Sequence, residues 1–293
     1  HIRLAGVGYS SFRALPYVPR FLRSTHDLSL LTMHTYALTP QNCQQGGQLK
    51  EASLFDQGSL QTLAAEVSRW VALAHHNRVA LRVDEINAVT CGGLQHFSNT
   101  MGPSLWALNI LPLYAQTGVT GVNFESRPDT AQNLIQPTAA SSGWRVTVQP
   151  EYYGMLAFAQ LTPPGSRILS CTTTVPGVLA WAVRTPANTL NIVLTNSTSS
   201  PQNVAVTAPA ASGPATAELL TSHTQSLTAT SGVTLGGQTL SPLSGRLSGT
   251  RVRSQILPLH GGYEVTIAPA TATILSVQGR PGAVGRTARS RAA

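Results

Sequence analysis

Lysine is almost missing from this chain: Lys50 is the only one among nineteen basic residues, and the rest are arginine. Acids are scarce too. Eleven carboxylates are spread over 293 residues and only 10% of positions are charged, so each acid can be weighed singly. Cysteine is limited to Cys43, Cys91 and Cys171, with no close spacing. That excludes a CxxC-type zinc site and a dense disulfide framework. A single disulfide between Cys43 and Cys91 and free thiols both stay open. No apolar run is long enough to span a membrane. Nor does any lysine-rich or aromatic-interleaved stretch suggest a nucleic-acid groove, despite a net charge of +8. Four of the arginines (Arg280, Arg286, Arg289, Arg291) crowd the last residues with no balancing acid. That composition predicts a disordered, solvated basic tail over 278–293. The chain opens on His1 directly before a strand-like "IRLAG", without methionine or signal peptide, as though a portion preceded it.

What is present is periodic. Over residues 1–161, short apolar runs such as "LSLLTMHTYAL", "VALRVDEINAV" and "VTGVNFE" alternate with helix-like segments. "SLQTLAAEVSRWVALAHH" repeats apolar residues at helical spacing through Leu60, Leu63, Ala64, Val67 and Val71. "PEYYGMLAFAQL" places Pro150 in the first turn of another helix, after a loop rich in Pro, Ser and Thr. Strand–helix alternation predicts a parallel α/β sheet or a (β/α) barrel. From about residue 165 the runs become short and rich in Val, Thr and Ile, separated by Gly, Pro, Asn and Ser. This second pattern, over 162–277, predicts an all-β sandwich.

The acids Asp84 and Glu85 stand at the end of one strand, before Asn87 and the pair Gly92-Gly93. Strict alternation puts Val79, Leu81, Val83 and Glu85 on one face, and Arg82 and Asp84 on the other. At the C-terminal end of a barrel strand, Glu85 is then a candidate catalytic group, and Asp84 is turned away to pair with Arg82. The bland alternative for Glu85 is an acid at a helix N-terminus.

"RVDEINAVTCGG", followed by "FSNTMGPSLWALNILPLYAQTGVTGVNF", resembles glycoside hydrolase family 79, the β-glucuronidase and heparanase-like enzymes. The likeness extends to "LTMHTYAL", "YYGMLAFAQL", "LAWAVRT" and "VTLGGQTL", in the expected order. It implies the C-terminal half of a (β/α)8 barrel, about strands five to eight, followed by a β-sandwich domain. It implies a retaining glycosidase with Glu85 as nucleophile, acting on β-glucuronides or uronic-acid glycans, without cofactor or metal. A secreted or extracellular location follows from the family as well. The family's general acid follows an Asn near the end of strand four. No Asn-Glu pair occurs upstream of Glu85, so the chain reads as a C-terminal piece that is unstable or inactive alone. The alternative is a noncatalytic relative that binds carbohydrate or serves a structural role.

The remaining candidates are substrate-binding. Tyr36 and His34 alternate onto one face at the end of the preceding strand, where a phenol can hold the nucleophile carboxylate ionised and aimed. Asn87, Gly92 and Gly93 form the loop that the resemblance assigns to glucuronate recognition; an ordinary tight turn is the other reading. Glu125 ends the next strand, roughly 4.8 Å away. A binding role is expected for it, with cooperation with Glu85 as the exception. Asn196 heads an N-x-S/T triplet, meaningful in a secreted eukaryotic protein.

Overall fold

The computed structural model describes residues 3–10, 12–39, 49–141, 143–209 and 211–279. Four parallel strands, β1 (Leu4–Tyr9), β2 (Leu28–Leu38), β3 (Ala80–Val89) and β4 (Val122–Phe124), form one sheet in consecutive order. Short helix α1 (Val18–Ser24) crosses from β1 to β2, α2 (Gln57–His76) from β2 to β3, and α3 (Met101–Thr117) from β3 to β4. Asp56 caps α2, accepting the Ser59 N–H at 2.7 Å. Gly118, at φ 96°, ends α3 in the left-handed conformation that glycine adopts freely. The stretch after β4, expected as loop, folds into a hairpin of β5 (Ile135–Ala140) and β6 (Gly143–Val148) before α4 (Pro150–Leu161).

The remainder is antiparallel. β7 (Arg167–Leu169), β8 (Val178–Arg184), β9 (Thr189–Asn196), β10 (Gln202–Thr207) and β11 (Ala211–Ser222) come first. β12 (Val233–Leu235), β13 (Thr239–Leu240), β14 (Leu247–Ser248), β15 (Ser254–Ile256), β16 (Gly262–Ile267) and β17 (Thr271–Gly279) follow. A seven-stranded sheet runs β12-β11-β17-β9-β8-β7, with β15 also on β11, while β10 and β16 pair as a separate ribbon. β17 reaches Gly279, so Gln278 and Gly279 belong to the sheet rather than to the expected tail; 280–293 lie outside the described residues.

The seven-stranded sheet has two apolar faces. Val178, Ile192 and Leu194 pack with Val204, Val265 and Ile267 of the ribbon. Trp181, Val183, Val193 and Ile274 instead join the core built by α2, α3, α4 and the parallel sheet. The expected two halves therefore share one core. Buried polar contacts cross it: the Asn109 amide donates to Thr195 Oγ1 at 3.0 Å, and that of Asn191 to the Leu161 carbonyl at 3.1 Å. Asn196 is fully buried, its amide spent on the carbonyls of Ser200, Ile267 and Ala268. In the folded chain the triplet it heads is a structural device, closed to glycosylation.

Leu31, Met33, Leu81 and Val83 are all fully buried, in one cluster with Val67, Trp70 and Val71 of α2. Each such side chain contributes on the order of 1.5–3 kcal/mol. These residues form the helix-facing side of β2 and β3. α4 lies unusually close to α3: a Cβ on Gly154 would stand 1.9 Å from the Ser104 carbonyl oxygen. Gly154→Ala must push the two helices apart, and urea unfolding should register a loss of about 1–3 kcal/mol.

Candidate active site

β2 and β3 pair in register from Leu30–Ala80 to Met33–Val83, and then the pairing slips: His34 opposes Glu85, and Tyr36 opposes Asn87. The same slip separates β3 from β4, where Val83 pairs with Val122 but Ile86 with Phe124. β3 thus carries one extra residue, Asp84, unpaired on either side. Such a bulge re-aims the side chains that follow it. Here it moves Glu85 off the Leu81–Val83 face and onto the face of His34 and Tyr36. Counting alternate residues straight through Asp84 places Glu85 with the wrong neighbours.

Asp84 is not turned away from the site. His34 Nε2 lies 3.6 Å from Asp84 Oδ1, and His34 Nδ1 lies 3.5 Å from Glu85 Oε1, so one imidazole stands between both acids. Arg82, the expected partner of Asp84, donates instead to Asn123 Oδ1 at 2.8 Å. Gly8 adjoins this grouping at a φ of 67°, and a Cβ there would stand in ordinary contact with His34 Nε2 and Asp84 Oδ2, at 3.6 and 3.8 Å.

Tyr36 ties the cluster together. Its hydroxyl hydrogen-bonds a Glu85 carboxylate oxygen and lies 2.9 Å from Glu125 Oε2. One phenol proton serves one carboxylate at a time. Burial, followed by the two carboxylates, raises the phenol far above its ordinary range, so Tyr36 stays a donor at any working pH. Glu125 Oε2 also accepts from the Gln132 amide, a contact without a sequence signal. Two oxygens sharing one hydroxyl lie no more than about 5.5 Å apart, so the Glu85 and Glu125 carboxylates face each other across the phenol.

Asn87 and the glycines differ from their expected place. Asn87 is fully buried; its amide donates to the Glu125 carbonyl at 3.0 Å, and its Oδ1 accepts from Ala88 N–H at 2.7 Å. It braces β3 against β4 rather than facing a ligand. The Gly93 N–H donates to the Thr90 carbonyl, and Gly92 accepts from Ala131 N–H. A Cβ on Gly93 would meet Ser98 Oγ at 2.7 Å and Gln132 Cβ at 3.1 Å. The turn is therefore a bed for the Gln132 segment that holds Glu125. Cys91, in the same turn, is disulfide-bonded and Cys171 is free, while Cys43 lies outside the described residues. Among the described residues, no group of three or more His, Cys, Asp or Glu is placed to hold a metal ion.

Glu151 is the acid that pattern reading passes over. In the first turn of α4 it looks like a surface group complementing the helix dipole. It is 1% exposed, and neither carboxyl oxygen has a hydrogen-bond partner. The Asn87 amide lies against it outside hydrogen-bond geometry: one of its two N–H groups goes to the Glu125 carbonyl, leaving the other for the Glu151 side. Burial pushes this carboxyl well above its ordinary value, with the Asn87 amide opposing.

The comparisons with known proteins address the fold. The chain is similar to a 4-O-alpha-L-rhamnosyl-beta-D-glucuronidase from Fusarium oxysporum 12S, with a TM-score of 0.74 and 18% identity over 94% of this chain and 58% of that one. It is also similar to a family 51 arabinofuranosidase from Xanthomonas axonopodis pv. citri (TM-score 0.61, 16% identity, 94% of this chain and 57% of that one). A third likeness is to a family 30 endoxylanase from Clostridium papyrosolvens C71 (TM-score 0.52, 14% identity, 95% and 56%). The architecture is thus one found among glycoside hydrolases, and the chain spans less than two thirds of the length of each of these structures. No protein-family model matches the chain, and no curated protein matches it.

The raised Glu151 carboxyl has a sign-definite consequence for stability. Below its ordinary value of 4.5, folded and unfolded chains both hold the proton. Above it the unfolded chain releases a proton that the folded chain keeps, so stability falls as pH rises. Glu151→Gln removes this contribution. Urea midpoints compared at pH 5 and pH 8 should favour the glutamine variant increasingly toward pH 8.

Proposed function

We propose that this chain supplies the nucleophile side of a retaining glycoside hydrolase, with Glu85 as nucleophile. The observation that carries the reading is the Tyr36 hydroxyl bridging Glu85 and Glu125 at the ends of adjacent parallel strands. In this reading β1–β4 are about strands five to eight of a (β/α)8 barrel over residues 1–161, and 162–277 form the β-sandwich domain that follows. His34 and Tyr36 line the glycone pocket and aim the nucleophile. Glu125 offers a carboxylate to sugar hydroxyls, with its backbone held by Asn87 and its carboxylate by Gln132, which rests on the Gly92-Gly93 turn. The general acid comes from a segment outside this chain.

Double displacement then runs as follows. Glu85 Oε1 attacks the anomeric carbon as the glycosidic C–O bond breaks, and the general acid protonates the leaving oxygen. Water, deprotonated by that same group, attacks the glycosyl ester and releases Glu85 with net retention. A β-glucuronide substrate is favoured by the resemblance of "RVDEINAVTCGG" and by the fold likeness to the rhamnosyl-glucuronidase. No cofactor enters the scheme.

A 2-deoxy-2-fluoro-β-glucuronide with a dinitrophenolate leaving group departs without protonation, so it tests the nucleophile independently of the missing acid. Peptide mass mapping should place one glycosyl adduct on Glu85, absent in Glu85→Gln. An adduct on another carboxylate sinks the assignment. Labelling by the matching fluoroglucoside, but not the glucuronide, keeps Glu85 and overturns the glucuronide specificity.

A further inference from the structure

A buried carboxyl with two unpartnered oxygens needs a reason to persist, because an apolar side chain of the same size would cost less. Glu151 cannot swing outward. Pro150 fixes the entry into α4, and Gly154, one turn on, locks the helix against the Ser104 carbonyl. The side chain is held inside beside Asn87. Asn87 is the strut between the working strands: it lies two residues past Glu85, accepts from Ala88 N–H and donates to the Glu125 carbonyl. The Glu125 N–H returns to the Ile86 carbonyl at 3.0 Å, so β4 is tied to β3 on both sides of this carboxamide.

We propose that Glu151 is a positioning residue of the carboxylate site, backing the Asn87 carboxamide and through it fixing Glu125 against Tyr36 and Glu85. The inference rests on the reading of Glu85 and Glu125 given above. Its logic is steric and polar together. With the Glu151 carboxyl behind it, the Asn87 amide has one orientation that serves Ala88 and Glu125 at once. Without it, the Ala88 and Glu125 hydrogen bonds alone hold the carboxamide, and the Glu125 end of the Tyr36 bridge loosens. Burial favours the un-ionised form of the Glu151 carboxyl, which needs no counter-charge.

The test uses Glu151→Leu and Glu151→Gln, followed by fluoroglycoside labelling of Glu85 and by urea unfolding. The leucine variant keeps the volume and loses the polar brace. It should be as stable as the parent or more so, yet label Glu85 roughly 10- to 100-fold more slowly at saturating reagent, with half-saturation little changed. Glu151→Gln should recover most of that loss. In an Asn87→Ala background, Glu151→Leu should add no further loss. Unchanged labelling in the leucine variant, or additive losses with Asn87→Ala, overturns the proposal. If the parent itself is labelled by neither glycone, the functional reading has failed instead. The unfolding cycle between Glu151→Leu and Asn87→Ala then decides this inference: non-additive midpoints support the brace and additive ones refute it.

Discussion

One extra residue in β3 governs the chemistry of this molecule. Leu81 and Val83 must face α2, because their burial against Val67, Trp70 and Val71 holds the sheet to its helices. A regular strand would send Glu85 onto that same side, into an apolar core where an unpaired carboxylate costs several kcal/mol. The bulge at Asp84 resolves the conflict by letting the strand keep its core face and still deliver an acid to the opposite one. It delivers both acids there, which is why His34 lies between Asp84 and Glu85.

The rear wall of the site depends on the antiparallel half of the chain. The first N–H groups of α3, which follows the Glu85 strand, have no helical partner of their own. Met101 and Gly102 donate theirs to the carbonyls of Ala229 and Leu227, in the loop between β11 and β12. Thr100 makes no side-chain cap, so this loop stands in for one. The Tyr153 hydroxyl accepts from Leu240 N–H, fixing α4 to the same region. α3, which follows the Glu85 strand, and α4, which carries Glu151, are thus clamped by segments far along the sequence. Loss of the antiparallel sheet would expose Trp181, Val183 and the helices they cover, so the two halves stand or fall together.

Periodicity made the alternation of strands and helices legible, and Pro150 marked the start of α4 correctly. The end of β3 was legible as the place for chemistry, because an acid pair stands out in a chain so poor in charge. Its geometry was not. A bulge leaves no trace in residue types, so alternation counted through Asp84 put Glu85 on the face of Leu81 and Val83 and took the face of Asp84 for the one turned away from the site. The hairpin after β4 hid for a different reason: Pro137, Thr138 and Thr147 do not alternate cleanly with buried apolar residues, and most of its side chains are exposed or half-exposed. Nothing local marks Glu151, since a solvated first turn and one pressed onto another helix carry the same residue types. What separates them is Gly154, whose missing Cβ admits the Ser104 carbonyl, and that contact is tertiary.

The charge balance of the site bears on what it accepts. Asp84, Glu85 and Glu125 converge on one imidazole and one phenol, while nearby cations are committed elsewhere: Arg82 to Asn123, and Arg127 to Asp129. A glycone carrying its own carboxylate, brought to this cluster, meets like charge at short range, and even at an effective dielectric near 20 such a contact is worth about 4 kcal/mol at 4 Å. On the proposed glucuronide reading, donors or cations must come from outside these strands, on the far side of the sugar from Glu85. A neutral glycone makes no such demand, since its hydroxyls can donate to Glu125 directly. On that proposed reading the two glycones place different requirements on whatever completes the site, and they differ most at the residues that would face Glu125 across the sugar.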